Sequence, residues 1–112
     1  VQHDLAVVAT PVATGHARLV LTGELDLGSV PTLRDALARA LPFATQCLDV
    51  DLAGVVFLDA AGLGALVWCQ RRARAAGAEC RVVASSAVVE RLLHLTGTHD
   101  LLVALPAVAH PA

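Results

Sequence analysis

Apolar and polar positions change rhythm several times along this chain. Residues 5–9 form a first apolar run, and after a turn region at 11–16 a second run at 17–22 closes at Gly23. Short runs bounded in this way predict two adjoining strands. The stretch Gly23-Glu24-Leu25-Asp26-Leu27-Gly28 reads as a short acidic loop. Ser29 then offers an N-cap, and Pro31 falls in a first helical turn, where its missing N–H costs nothing. Leu33, Leu37 and Leu41 recur four apart, which predicts a helix over about 30–41, ended by Pro42.

Alternation over 47–52 and an apolar run over 53–58 predict the next strand, which leads through an acidic turn into a helix over about 60–76 with Gly77 as its C-cap. Residues 79–84 read as a strand. Ser85 and Ser86 supply a cap for a third helix reaching Leu95, with an apolar stripe of Val88, Val89, Leu92 and Leu93 and a stop at Gly97. Residues 101–105 suggest a last edge strand. The order β-β-α-β-α-β-α-β predicts one α/β domain over 1–112, a mixed sheet with helices packed against it.

Composition narrows the function classes. The chain has 112 residues, 56% of them hydrophobic, and a formal net charge of −2, which gives no electrostatic basis for binding nucleic acid or an anionic membrane. The longest apolar run, 60–69, is too short to span a bilayer, and no signal peptide precedes the first strand, so the expectation is a cytoplasmic protein without direct membrane insertion. Cys47, Cys69 and Cys80 have neither an even count nor C-x-x-C spacing, which reads as reduced packing cysteines and argues against zinc. His3, His16, His94, His99 and His110 are scattered without i, i+4 pairing and read as surface or loop residues. No catalytic triad, phosphate-binding glycine loop or metal-ligand set emerges, so neither an enzyme nor a cofactor is expected.

Phe57-Leu58-Asp59-Ala60-Ala61-Gly62-Leu63-Gly64 carries the strongest local signal. A strand running through an acidic turn into a helix of very small residues exposes backbone N–H groups and a positive helix end, as phosphate-handling sites do. No hydroxyl stands there to carry a phosphate. On a helical wheel at about 100° per residue, Leu63, Leu66, Cys69, Gln70 and Ala73 share one side, and Ala61, Gly64, Trp68, Arg71, Arg72 and Ala75 share the other. An outward stripe that is bare, then aromatic, then basic suits the docking of a flat partner, with Trp68 as anchor and the arginines as rim. A homodimer is equally served by such a stripe. The blander alternatives are that Trp68 folds onto a neighbouring element, that Asp59 only caps its helix, and that Arg71, Arg72 and Arg74 complement the negative end of the helix dipole. Glu24, Asp26 and Asp59 would make an acidic cluster open to a hard cation such as Mg²⁺ if their loops adjoin. Solvated loop carboxylates are the simpler reading.

Taken together, the Gly23-Glu24-Leu25-Asp26 segment, the 48–55 strand, the 57–64 turn, and Val82-Val83-Ala84-Ser85 followed by Arg91-Leu92-Leu93 resemble the STAS domain family. The family takes its name from sulfate transporters and anti-sigma factor antagonists, and the similarity is to the small stand-alone antagonists. The resemblance implies a STAS-like mixed sheet and a protein-binding function. An unphosphorylated antagonist binds an anti-sigma factor, usually also a serine kinase, and so releases a sigma factor. Phosphorylation at an Asp-Ser-Ser-Gly turn breaks that complex. The modified hydroxyl falls at Ala61 here and its neighbour at Ala60, so this chain is expected to behave as permanently unphosphorylated. Phosphoserine would add nearly two negative charges beside Asp59, and alanine cannot be switched in that way. The resemblance and the helical wheel together lead to expected partner contacts at Glu24, Asp26, Asp59, Ala60, Ala61, Gly62, Gly64, Trp68, Arg71 and Ser85. A non-switchable subunit of a signalling scaffold or of a membrane transporter complex is the alternative.

Overall fold

The computed structural model describes residues 4–102. Four strands form one sheet in the order β1-β2-β3-β4, where β1 is Ala6–Ala13, β2 is His16–Leu25, β3 is Cys47–Leu58 and β4 is Glu79–Ser85. β1 is antiparallel to β2, while β2, β3 and β4 run parallel. Parallel neighbours need a crossover. Helix α1 (Val30–Ala40) supplies it between β2 and β3, and α2 (Ala60–Ala75) between β3 and β4. Helix α3 (Ala87–Thr96) follows β4, and a single turn, α4 (His99–Leu102), follows α3. The expected mixed α/β architecture is the one observed.

One face of the sheet carries the core. Leu19, Leu21 and Leu25 of β2, Leu48, Val50 and Leu52 of β3, and Cys80 and Val82 of β4 are buried, as are Leu33, Ala36 and Leu37 of α1 and Leu66, Cys69 and Ala73 of α2. The alternation breaks in mid-strand, because the pairing passes from Val20–Asp51 to Thr22–Gly54 and gives β3 one residue more than β2. This bulge moves the inward position from the even numbers to Val55. A Cβ on Gly54 would stand 2.6 Å from Thr22 Cγ2, so a side chain there would have to displace that of Thr22. Burial pushes the Cys69 and Cys80 thiols up to about 12, which makes them inert packing groups.

Four sequence expectations need correction. The turn expected at 11–16 contracts to Thr14 and Gly15, with Gly15 at φ 75°. Pro11 is accommodated within β1 because that strand lies at the sheet edge. The acidic loop begins later than expected, since β2 continues through Leu25. Ser29 makes no side-chain cap to α1. Instead its Oγ accepts from the Asp26 N–H at 2.9 Å, while Asp26 Oδ1 accepts from the Ser29 N–H at 3.1 Å. The capping box therefore belongs to the 3-10 turn Leu27–Ser29. The edge strand expected at 101–105 is helix where it is described, with 101 and 102 ending α4 and 103–105 outside the described residues. Gly97, left-handed at φ 72°, closes α3, and the Thr98 N–H bonds the Leu93 carbonyl. The chain then turns back instead of extending, and the Leu102 N–H bonds the Thr98 carbonyl in helical fashion.

Candidate functional site

The parallel strands β2 and β3 end together, with Leu25 paired to Leu58, and the turn into α2 is built on that shared end. Asp59 has extended backbone, and its Oδ1 accepts from the Gly62 N–H at 2.8 Å. Its own N–H reaches the Leu25 carbonyl at 3.4 Å. Asp59 is therefore a genuine N-cap. Gly62 is buried, and a Cβ there would overlap both the Leu25 carbonyl oxygen and Leu58. The first turn of α2 is pressed against the end of β2 by the absence of that side chain. Ala60 is exposed, Ala61 is half-buried, and Gly64 is exposed with nothing within 4 Å of where its Cβ would be. The surface at this helix end is bare, and no side-chain hydroxyl is present at positions 59–64.

The acidic residues do not converge as a cation site would require. Asp4, Glu24 and Asp26 line a polar cleft of about 440 Å³ with Gly28, Ser29 and Thr32, and Asp59 is not part of its lining. One oxygen of Asp26 and one of Asp59 are already engaged by backbone amides.

Further along α2, Trp68 is half-buried and packs against the core, with the Arg34 guanidinium of α1 4.8 Å from the centre of its ring. The alternative in which Trp68 folds onto a neighbouring element is the observed one, and a freely projecting anchor is not formed. Arg71 is exposed. Arg72 and Arg74 lie in the last turn, where they face the negative helix end. Ser85 is not brought to the turn. It pairs with Leu52, seven residues before Asp59 on β3, a strand distance of roughly 23 Å, and its Oγ donates to Glu90 Oε2 at 2.7 Å. Ser86, not Ser85, caps α3, accepting from the Val89 N–H while donating to the Val55 carbonyl.

Two groups of residues escaped the sequence reading. Leu27, Val56 and Phe57 are exposed apolar side chains at the same end of the sheet as the turn, Leu27 at 73%. For Val56 and Phe57 the signal was the unbroken Val55-Val56-Phe57-Leu58 run, since a one-sided strand cannot bury four consecutive side chains. The second group surrounds Asp49, buried on the sheet face opposite the helices. Its carboxylate accepts from Arg81 Nε at 3.0 Å, meets His16 Nε2 at 2.7 Å and Arg18 at 3.4 Å, and receives the Cys47 thiol. His16 is thus a strand residue with a fixed partner, not a loop residue. Burial alone would raise the Asp49 carboxyl, but the bonds from His16, Arg81 and Cys47 outweigh it and hold the group below its ordinary value. No helix among the described residues is long and apolar enough to cross a membrane.

Residues 9–104 match the family model described as "Mlab, STAS domain". The chain belongs to the STAS domain family. Over 80 residues this STAS domain is 31% identical to the anti-sigma-B factor antagonist of Staphylococcus epidermidis, covering 71% of this chain and 74% of that protein. In fold it is similar to an anti-sigma factor antagonist from Mycobacterium paratuberculosis, with a TM-score of 0.75 at 24% identity over 88% of this chain and 83% of the other. It is also similar to SpoIIAA in its unphosphorylated form, at a TM-score of 0.73 and 19% identity over 96% and 99% of the two chains. This is an anti-sigma factor antagonist-like STAS domain.

Proposed function

We propose that this STAS domain is a cytoplasmic regulatory binding module that engages an anti-sigma factor of the serine-kinase type and so frees a sigma factor, and that it is held permanently in the unphosphorylated, binding-competent form. The observation that carries the reading is the Asp59-Ala60-Ala61-Gly62 turn, bare at an exposed helix end where the resemblance places the phosphoacceptor. Leu27, Phe57, Ala60 and Gly64 offer apolar contact beside the Glu24 and Asp26 carboxylates, an apolar patch with a charged rim. Arg71 extends that rim along α2. Binding alone is the proposed action, with no catalytic step and no cofactor.

The test is a pull-down from the source cell with the wild-type chain and an Ala61→Ser variant, each then incubated with ATP and the recovered proteins. The expected result is an ATP-binding anti-sigma or kinase-like protein on both baits, with phosphate incorporated only into Ala61→Ser. Recovery of transporter or scaffold subunits alone, with no kinase and no phosphate, overturns the reading.

A further inference from the structure

A second constellation lies away from the turn, where α3 meets α4. Glu90 and His94 stand one helical turn apart on α3, and the Gly97 reversal brings His99 back beside them. The two imidazoles stack, with ring centres 3.9 Å apart and planes inclined by 16°. Both direct Nε2 at the same carboxylate oxygen, Glu90 Oε1, at 3.4 Å from His94 and 2.6 Å from His99. The ligand atoms of Glu90, His94 and His99 all lie within 4.8 Å of one another.

We propose that Glu90, His94 and His99 form a binding site for a divalent transition-metal ion of the zinc type. Zinc takes nitrogen and oxygen ligands at about 2.0–2.1 Å, which sets tetrahedral ligand atoms about 3.3 Å apart. The Glu90–His94 spacing already has that value, whereas an ion would replace the 2.6 Å Glu90–His99 hydrogen bond and would require the stacked rings to splay until both Nε2 lone pairs meet at it. Surrounding groups favour the ligand roles. Ser85 Oγ holds Glu90 Oε2 and leaves Oε1 toward the rings. Asp100 Oδ1 stands 3.6 Å from His99 Nδ1 and adds negative charge beside the ring. The His94 side chain is 61% exposed, so the ion enters from solvent and the fourth coordination position remains open to water or to a donor from a partner.

The other His/Cys/Asp constellation, His16, Cys47 and Asp49, is poorly suited to a cation. Arg18 and Arg81 already place positive charge on the two Asp49 oxygens. An ion at Glu90 would tie α4 to α3 and leave the Asp59 turn unchanged, so this site stands or falls separately from the proposed partner binding.

The deciding experiment strips the full chain of metal and adds Zn²⁺ while following Tm, with Co²⁺ added in parallel to read visible d–d absorption. We expect Tm to rise by at least about 4 °C at saturating zinc, and Co²⁺ to give the bands of a four- or five-coordinate site. Both signals should vanish in His94→Gln and in His99→Gln and persist in Cys47→Ser. His94 is exposed enough for its variant to fold, and circular dichroism verifies this. Absence of either signal in the wild-type chain, survival of both in the His94→Gln/His99→Gln double variant, or their loss in Cys47→Ser would overturn the site.

Discussion

The α-carbon of Gly62 faces the carbonyl oxygen of Leu25 so closely that no side chain fits between the first turn of α2 and the end of β2. Gly62→Ala must push the helix off the sheet or break the Asp59 cap, and overpacking of this kind costs about 1–3 kcal/mol. We expect a loss of about 3 kcal/mol in urea denaturation, at the upper end because the opposing atom is backbone. An unchanged midpoint would show that the helix end yields freely.

Gly64, two residues on, behaves in the opposite sense. Its surroundings are open, and glycine within a helix is about 1 kcal/mol worse than alanine. Gly64→Ala should therefore stabilise the isolated domain by roughly that amount. Gly64→Gln should fold as well as the wild type and yet weaken the proposed complex at least tenfold in a binding titration. Equal affinity for both variants would remove this stripe from the interface.

Asp49 makes acid sensitivity predictable. Its carboxyl is held below the ordinary value in the folded chain, so its contribution is complete above the unfolded carboxylate pKa of about 3.9 and disappears as pH falls through the lower folded value. Asp49→Asn should cost about 2 kcal/mol at neutral pH. That is less than the 3–5 kcal/mol typical of a broken buried pair, because the two arginines can turn toward water. Denaturation at several pH values should show the difference between wild type and variant shrinking below about pH 4. A gap independent of pH would assign the cost to packing.

Trp68 is the chain's single tryptophan, and its ring is both a fluorescent reporter and part of the packing of α2 on α1. Trp68→Ala should lower stability by about 2 kcal/mol, short of the 3–5 kcal/mol of a fully buried ring, whereas Arg34→Gln should cost only about 0.5 kcal/mol. Weakened partner binding by Trp68→Ala would then mix folding with contact. Arg71→Glu, on an exposed position, separates the two, and calorimetry on both variants checks the order of effects.

Much of this architecture was legible in the chain because its signals are local. Leu33 and Leu37 at helical spacing, Pro31 in a first turn, Gly77 and Gly97 as stops, and the alternation over 47–52 each report structure within a few residues. The turn at Asp59 was legible for the same reason, since cap and glycine lie three residues apart. What stayed hidden depends on residues far apart in the chain. Nothing near Asp49 announces that Arg18 and Arg81 will flank it, and Glu90 with His94 gains meaning only once Gly97 folds His99 back. The bulge opposite Thr22 obscured which of Val55, Val56 and Phe57 face outward. Trp68 was assigned outward by a wheel that could not include Arg34.

The adjacency of the strands carries a consequence for synthesis. Because the spatial order β1-β2-β3-β4 repeats the chain order, no strand waits for a later one to be inserted beside it. The β1–β2 hairpin spans a two-residue turn, and each parallel strand lies beside a strand that precedes it in the chain. An ordered sheet of this kind can be extended in chain order only on its β4 side, with β1 as the fixed opposite edge.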